Sequence, residues 1–295
     1  MAYVCARAMT ADSNELTGGI MRTLKVVGGL ALLSLGAVMP AAAQDATIGI
    51  DVGLNSNYNW RGLSLANKPV LQPDVWLSVY GFTGGVWANV EPTKCDGTND
   101  ICETGGARTG IAEIDYWLEY GRSFAGASAK VGWVAYTYNK NNAFLDNTAN
   151  TSEIYGQVTL SNLPITPTLA AWYDIDNIKG LYIQGSVVYG VKASPAVTIN
   201  LGALAGLSAG QEVNTDPNST ESANFAESGL THVDLSASTS LTAGPVSIAP
   251  SFHFQISHDP FTKINGLDAG NLDKGSKIWF GVTLSWSRGL GAATE

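Results

Sequence analysis

Between residues 47 and 61 the chain alternates. Ile48, Ile50, Val52, Leu54, Ser56, Tyr58 and Trp60 hold one parity, and Thr47, Gly49, Asp51, Gly53, Asn55, Asn57, Asn59 and Arg61 hold the other. A period of two puts these sets on opposite faces of one strand. Strands of soluble proteins commonly stop after about five or six residues, whereas this one is long enough to cross a membrane at a tilt. The same rhythm sets Ala112, Ile114, Tyr116, Leu118 and Tyr120 against Glu113, Asp115, Trp117 and Glu119. It also sets Val246, Ile248, Phe252, Phe254 and Ile256 against Ser247, Ser251, His253, Gln255 and Ser257. Near the end, Ile278, Phe280, Val282, Leu284 and Trp286 oppose Lys277, Trp279, Thr283 and Ser285. Twelve strands are predicted, near 47–61, 70–80, 83–91, 110–121, 126–138, 152–161, 167–174, 180–192, 197–207, 230–243, 246–258 and 277–287.

The connections sort by parity. After every second strand they are short, at 81–82, 122–125, 162–166, 193–196 and 244–245. The others are mostly longer and polar, the longest being 92–109, 139–151, 208–229 and 259–276. Short turns at one end and long loops at the other are the mark of an outer-membrane barrel, with both termini on the turn side, in the periplasm. A sandwich has no reason to sort its loops this way. The expected fold is therefore all-β, a transmembrane antiparallel up-and-down β-barrel of about twelve strands, with a secreted β-sandwich binding module as runner-up. On the outward parity Tyr58, Trp60 and Tyr173 fall at the loop end, and Tyr120, Tyr189 and Trp286 toward the turn end. Two girdles of amphipathic rings are expected from them.

The residues ahead of the strands read as export. Arg22 and Lys25 precede an apolar run at 26–38, Pro40 breaks it, and Ala41, Ala42 and Ala43 supply small residues for cleavage before Gln44. The run falls short of the roughly 20 residues a spanning helix needs. With no cysteine after the small residues, a lipid anchor is not expected. Residues 1–20 are expected to reflect an upstream start, 21–43 a signal peptide and 44–295 the barrel. The whole chain carries 16 Lys and Arg against 25 Asp and Glu. Removing 1–43 takes three basic and two acidic groups, leaving 13 against 23, a formal charge of −10. That balance argues against nucleic acid, which needs clustered cations. Charged residues make up 14% of the chain, against roughly 25% in ordinary soluble domains.

The stretch Asn57, Tyr58, Asn59, Trp60, Arg61, Gly62, Leu63 and Ser64, then Lys68, Pro69, Val70, Leu71, Gln72 and Pro73, with Gly85, Val86, Trp87, Ala88 and Asn89, resembles the TorF-like porin family. These are little-characterised proteobacterial outer-membrane β-barrel proteins. In that family an aromatic-Arg-Gly element ends the first strand and a Pro-x-Leu-Gln-like element opens the second. The match is clearest over about 48–91 and extends as strand rhythm to the end. The resemblance implies transport weakly. The nine residues after Trp286 depart from the habit of such barrels to end on an aromatic.

Candidate chemistry is sparse. Cys95 and Cys102 share one long loop, where a disulfide is the default in an oxidising compartment. A metal site there would need more ligands nearby than Asp96, Asp100 and Glu103 with the two thiolates. Asp96, Asp100, Asp146 and Asp216 match no calcium-loop spacing. The inward parity collects Asp51, Asp74, Glu91, Glu113, Asp115, Glu119, Glu153, Asp174 and Asp234, against fewer cations, chiefly Arg61, Lys130 and Lys277. Arg61 is placed either against Asp74 or Asp51 in the lumen mouth or in a turn that ends the first strand. About 8 strands are filled by their own side chains and about 16 leave a channel, so twelve lies between. A narrow passage for small polar or cationic solutes is favoured over a plugged barrel. The alternatives are a non-conducting structural or adhesive barrel and, on His253 with Ser257, a lipid-acting hydrolase. The three histidines, His232, His253 and His258, lack metal spacing. No enzyme activity, cofactor or metal is expected. The expected partners are outer-membrane lipid, small solutes and the barrel-assembly machinery.

Overall fold

The structure, a computed structural model, describes residues 46–93, 110–139, 150–212, 224–225, 227–257, 263–264, 267–268 and 275–290. Their strands are β1 (Ala46–Asn55), β2 (Val70–Val79), β3 (Phe82–Glu91), β4 (Gly110–Phe124), β5 (Ala127–Tyr138) and β6 (Thr151–Leu160). There follow β7 (Thr166–Asp174), β8 (Leu181–Ser194), β9 (Val197–Ala209), β10 (Gly229–Ser238, carried on by Leu241–Ala243), β11 (Val246–Ser257) and β12 (Gly275–Gly289). Each pairs antiparallel with its neighbour in sequence, and β1 pairs with β12 from Thr47–Gly289 to Asn55–Gly281. The sheet therefore closes on itself as a twelve-stranded barrel. The sandwich alternative falls, because a sandwich leaves open edges and this sheet has none.

The five short connections are turns where alternation expects them. At 80–81 both residues take positive φ, Tyr80 at 52° and Gly81 at 88°, the pairing that matches a two-residue turn to strand twist. The outer face is apolar and solvent-exposed in the isolated chain, through Ile50, Val75, Val86, Val131, Ile154 and Leu169 among others. The export segment at 21–43, residues 1–20, and the Cys95 and Cys102 pair lie outside the described residues.

One expected element is corrected. The first strand does not run to residue 61 but leaves the wall after Asn55, held there by Ser56, whose amide donates to the Phe280 carbonyl (2.9 Å). The chain then turns inward as a hairpin, Tyr58–Trp60 against Leu63–Ala66. Its tip is Arg61 and Gly62, both at positive φ, 49° and 92°. Alternation continues through Tyr58 and Trp60 because this hairpin too has an apolar face. That face meets other side chains of the same chain. Tyr58, Leu63, Leu65, Ala66 and Val70 pack with Phe225 into a buried cluster, flanked by Trp60 and Trp87. Tyr58 and Trp60 therefore belong to the interior and not to an outer girdle.

Burial is graded along the barrel axis. Toward the loops the inner wall is buried, as at Glu113, Glu153, Asp174 and Tyr182. Toward the turns both parities are exposed, as along Val187, Val188, Tyr189 and Val191 of β8. The interior is thus filled at the loop end and wet at the turn end. The sheet already carries Pro73, Pro167 and Pro250 within β2, β7 and β11, but a proline in β1 would remove an amide from one of the two ladders that meet at the closing seam. We expect Val52→Pro to abolish the compact, faster-migrating band that unboiled barrel gives on electrophoresis. An unboiled band like that of the wild type would count against closure at this seam.

Candidate functional site

The hairpin tip reaches across the lumen. Arg61 donates from Nη1 and Nη2 to Oε1 and Oε2 of Glu153 on β6, at 2.7 and 2.6 Å. Tyr136 of β5 donates its hydroxyl to the same Oε2 at 2.8 Å. The guanidinium carbon lies 4.3 Å from the Trp60 ring, 4.3 Å from Tyr182 and 5.3 Å from Trp172. Burial works against the charge, but the attraction of Glu153, then of Tyr136, outweighs it and holds the Arg61 pKa above its ordinary value. A forked cation, a carboxylate that meets both prongs and aromatic faces around them are the geometry that suits arginine.

On the far wall the Gly62 carbonyl accepts from Gln255 Nε2 (3.1 Å) and from Ser257 Oγ (2.7 Å) of β11. Gly62 is needed twice over. Its φ is one that side chains rarely adopt, and a Cβ there would lie 2.9 Å from His232 Cβ. Near the strand end of the hairpin, Tyr58 donates to Glu113 Oε2 of β4 (3.0 Å). Walls on β4, β6 and β11 therefore hold one inserted loop between them.

The sequence-predicted lumen residues divide by depth. Glu91, Glu113, Asp115, Glu153, Asp174 and Asp234 are buried near the loop end. Glu91 meets Lys68 at 3.1 Å, and Asp174 accepts from Thr151 (2.6 Å) and from the amides of Asp176 and Ile178 (3.0 Å each). Asp234 meets Nδ1 of His253 at 2.9 Å, and that imidazole stacks on Trp279 at 3.6 Å. Asp51, Asp74 and Glu119 are half-buried. Trp76 donates to Asp51 (2.8 Å) and Trp117 to Asp74 (3.3 Å). Glu119 takes Lys130 at 2.9 Å and the Tyr155 hydroxyl at 2.7 Å. Lys277 lies opposite Gln255 in the strand register.

Three expectations change here. Arg61 meets Glu153 and neither Asp74 nor Asp51, and it does so from a turn, so both placements considered for it are half right. The inserted hairpin occupies the loop end of the lumen, a feature that strand count, which left a narrow passage and a plugged barrel both open, could not show. His253 and Ser257 do not form a dyad: Ser257 donates to Gly62 while His253 faces Asp234, because residues four apart on a strand are too distant to pair directly. Tyr173 and Tyr189 lie exposed on the outer face, Tyr120 packs on Phe82 at 4.7 Å between ring centres, and Trp286 shares the register level of Ile50 and Val246.

Sequence reasoning missed Tyr136, Trp172 and Tyr182 as the walls around Arg61. The signal was present: two short alternating runs separated by two residues that include a glycine read as a hairpin. Breaking a buried pair from one side costs about 3–5 kcal/mol, since the other charge stays buried. Arg61→Ala and Glu153→Gln should each loosen the hairpin, read as faster amide exchange at 58–66 with strand protection kept. Unchanged exchange in both variants would deny the pair this role.

The family model described as "Bacterial protein of unknown function (Gcw_chp)" matches residues 40–244. No curated protein matches the sequence at a significant level. Among solved structures, the chain resembles an outer membrane channel from Pseudomonas putida F1, with a TM-score of 0.51 and 9% identity over 85% of this chain and 97% of that one. It also aligns with the KdgM porin (TM-score 0.43, 8% identity, 81% and 98% covered) and with LpxR from Salmonella typhimurium (0.43, 9%, 81% and 99%). At such identities the first likeness speaks to the fold alone.

Proposed function

The chain belongs to the Gcw_chp family of bacterial proteins of unknown function, and we propose that it is an outer-membrane diffusion channel of low conductance for small polar or cationic solutes. The finer kinship, with TorF-like porins, is supported by the elements at 57–64 and 68–73. The long loops face outward and the turns face the periplasm, as sorting by loop length favours. The exposed apolar belt of the outer face suits lipid, where Lys or Arg at mid-bilayer would cost roughly 2–4 kcal/mol.

The single observation that carries the reading is the graded interior, open toward the turn end below the half-buried Asp51, Asp74 and Glu119 and closed at the loop end by an inserted loop. Among the described residues, Glu91, Glu119 and Glu153 have a Lys or Arg against them. Asp51, Asp74 and Asp174 accept from neutral donors, which satisfy hydrogen bonds without cancelling charge. The wall therefore keeps a negative potential that concentrates cations and repels anions.

A second reading, a non-conducting barrel, is favoured by the depth to which Leu63 and Leu65 are buried, 1% and 0% exposed. Planar-bilayer recording separates the two. Replacing residues 58–66 with a short flexible link should raise unit conductance several-fold, and Asp51→Asn with Asp74→Asn should then lower cation preference. Silence from well-folded barrels with and without the hairpin would leave the non-conducting reading standing.

A further inference from the structure

Around Arg61, four of the five groups that recognise its guanidinium belong to the barrel wall. Glu153 on β6, Tyr136 on β5, Trp172 on β7 and Tyr182 on β8 are carried by wall strands, and the hairpin adds only Trp60. The carboxylate offers both oxygens, at 2.7 and 2.6 Å, with its Oε2 also fixed by the Tyr136 hydroxyl. Glu153 is fully buried and Tyr182 nearly so. A wall that presents a fork-shaped acceptor beside aromatic faces is a recognition site whatever chain supplies the cation.

We propose that this wall is a binding site for solutes bearing a guanidinium group, and that Arg61 fills it as an internal stand-in for such a solute. The inference deepens the channel reading and rests on it for its place in transport, though its chemistry can be tested apart from conduction. Planarity decides the class. An ammonium is a compact, strongly hydrated charge that cannot make two parallel bonds to the carboxylate from separate nitrogens, and it gains less by leaving water. A tethered occupant acts at an effective concentration near the millimolar range, so a free solute binds the wild type only in the fraction of time that the tip is withdrawn. Entry of a guanidinium solute and withdrawal of the tip are then coupled.

The test frees the site. In folded Arg61→Ala barrel in detergent, guanidinium chloride at low millimolar concentration should shift the tryptophan fluorescence, with an affinity about tenfold above that for ammonium. Such concentrations lie far below the molar range in which guanidinium denatures. Wild type should respond little, and Arg61→Ala with Glu153→Gln should lose the selectivity. If Arg61→Ala folds poorly, Arg61→Met keeps the packing of the stem and serves instead. Equal responses to guanidinium, ammonium and sodium in the freed barrel, or selectivity that survives Glu153→Gln, would overturn the site. In bilayers, guanidinium should reduce current through the Arg61→Ala barrel where sodium does not. Absence of current from every variant would sink the channel reading while leaving the fluorescence result to judge the site.

Discussion

Nine residue pairs join β1 to β12, from Thr47–Gly289 to Asn55–Gly281, and through them the sheet loses its last open edge. In a hydrocarbon surrounding this is a condition of existence, since an unpaired backbone amide or carbonyl there costs several kcal/mol. Closure also fixes the circumference. With twelve strands the interior is wider than the wall's own side chains fill, so the chain must leave it wet or bring something in. It does both, at opposite ends. Gly132 shows how the wall adapts to large inward rings: a Cβ there would lie 2.4 Å from the Tyr155 ring, so only glycine lets that ring lie along its neighbour strand.

What holds the inserted hairpin is a matter of magnitudes. A buried leucine contributes roughly 1.5–3 kcal/mol over an exposed one, and Leu63 and Leu65 are both fully buried beside Phe225. The Arg61–Glu153 pair is a poorer source of net stability, because desolvating two charges consumes most of their attraction. Apolar contact therefore supplies the driving force, and the ion pair supplies position. Leucines would pack almost as well with the tip a residue out of register. A guanidinium that must meet two carboxylate oxygens and three rings has one place to go, and Gly62 then falls under Gln255 and Ser257.

The barrel was legible because its rule is local. Alternation needs only neighbouring residues, and the turns at 80–81, 125–126 and 244–245 sit where short polar or glycine-bearing breaks put them. The hairpin was misread for the same reason. Tyr58 and Trp60 keep the parity of Ile48 to Leu54, and a period of two cannot say whether an apolar face meets lipid or another part of the chain. What separates the cases is non-local: Ser56 ties the strand end to Phe280, far away in sequence, and Glu153 receives Arg61 across the lumen. Neither partner is marked by spacing, so Glu153 could be placed on the inner wall from sequence but not assigned its role.

Charge counting failed in a more instructive way. Nine inward carboxylates against three cations suggests a lumen of unsatisfied acids, yet indoles, phenols, a threonine and backbone amides meet several of them. Hydrogen-bond satisfaction and charge compensation are separate conditions. The first decides whether a carboxylate can be buried at all, and neutral donors meet it at Asp51, Asp74 and Asp174. The second decides the field inside the pore, and only cations alter it. The wall thus buries its acids at tolerable cost and still remains negative. Against that field Arg61, carried across the lumen on the tip of a loop, is attracted into the position where it closes the barrel. In the channel proposed above, the potential that would draw a cationic solute inward also draws Arg61, so one set of carboxylates would serve both selectivity and closure.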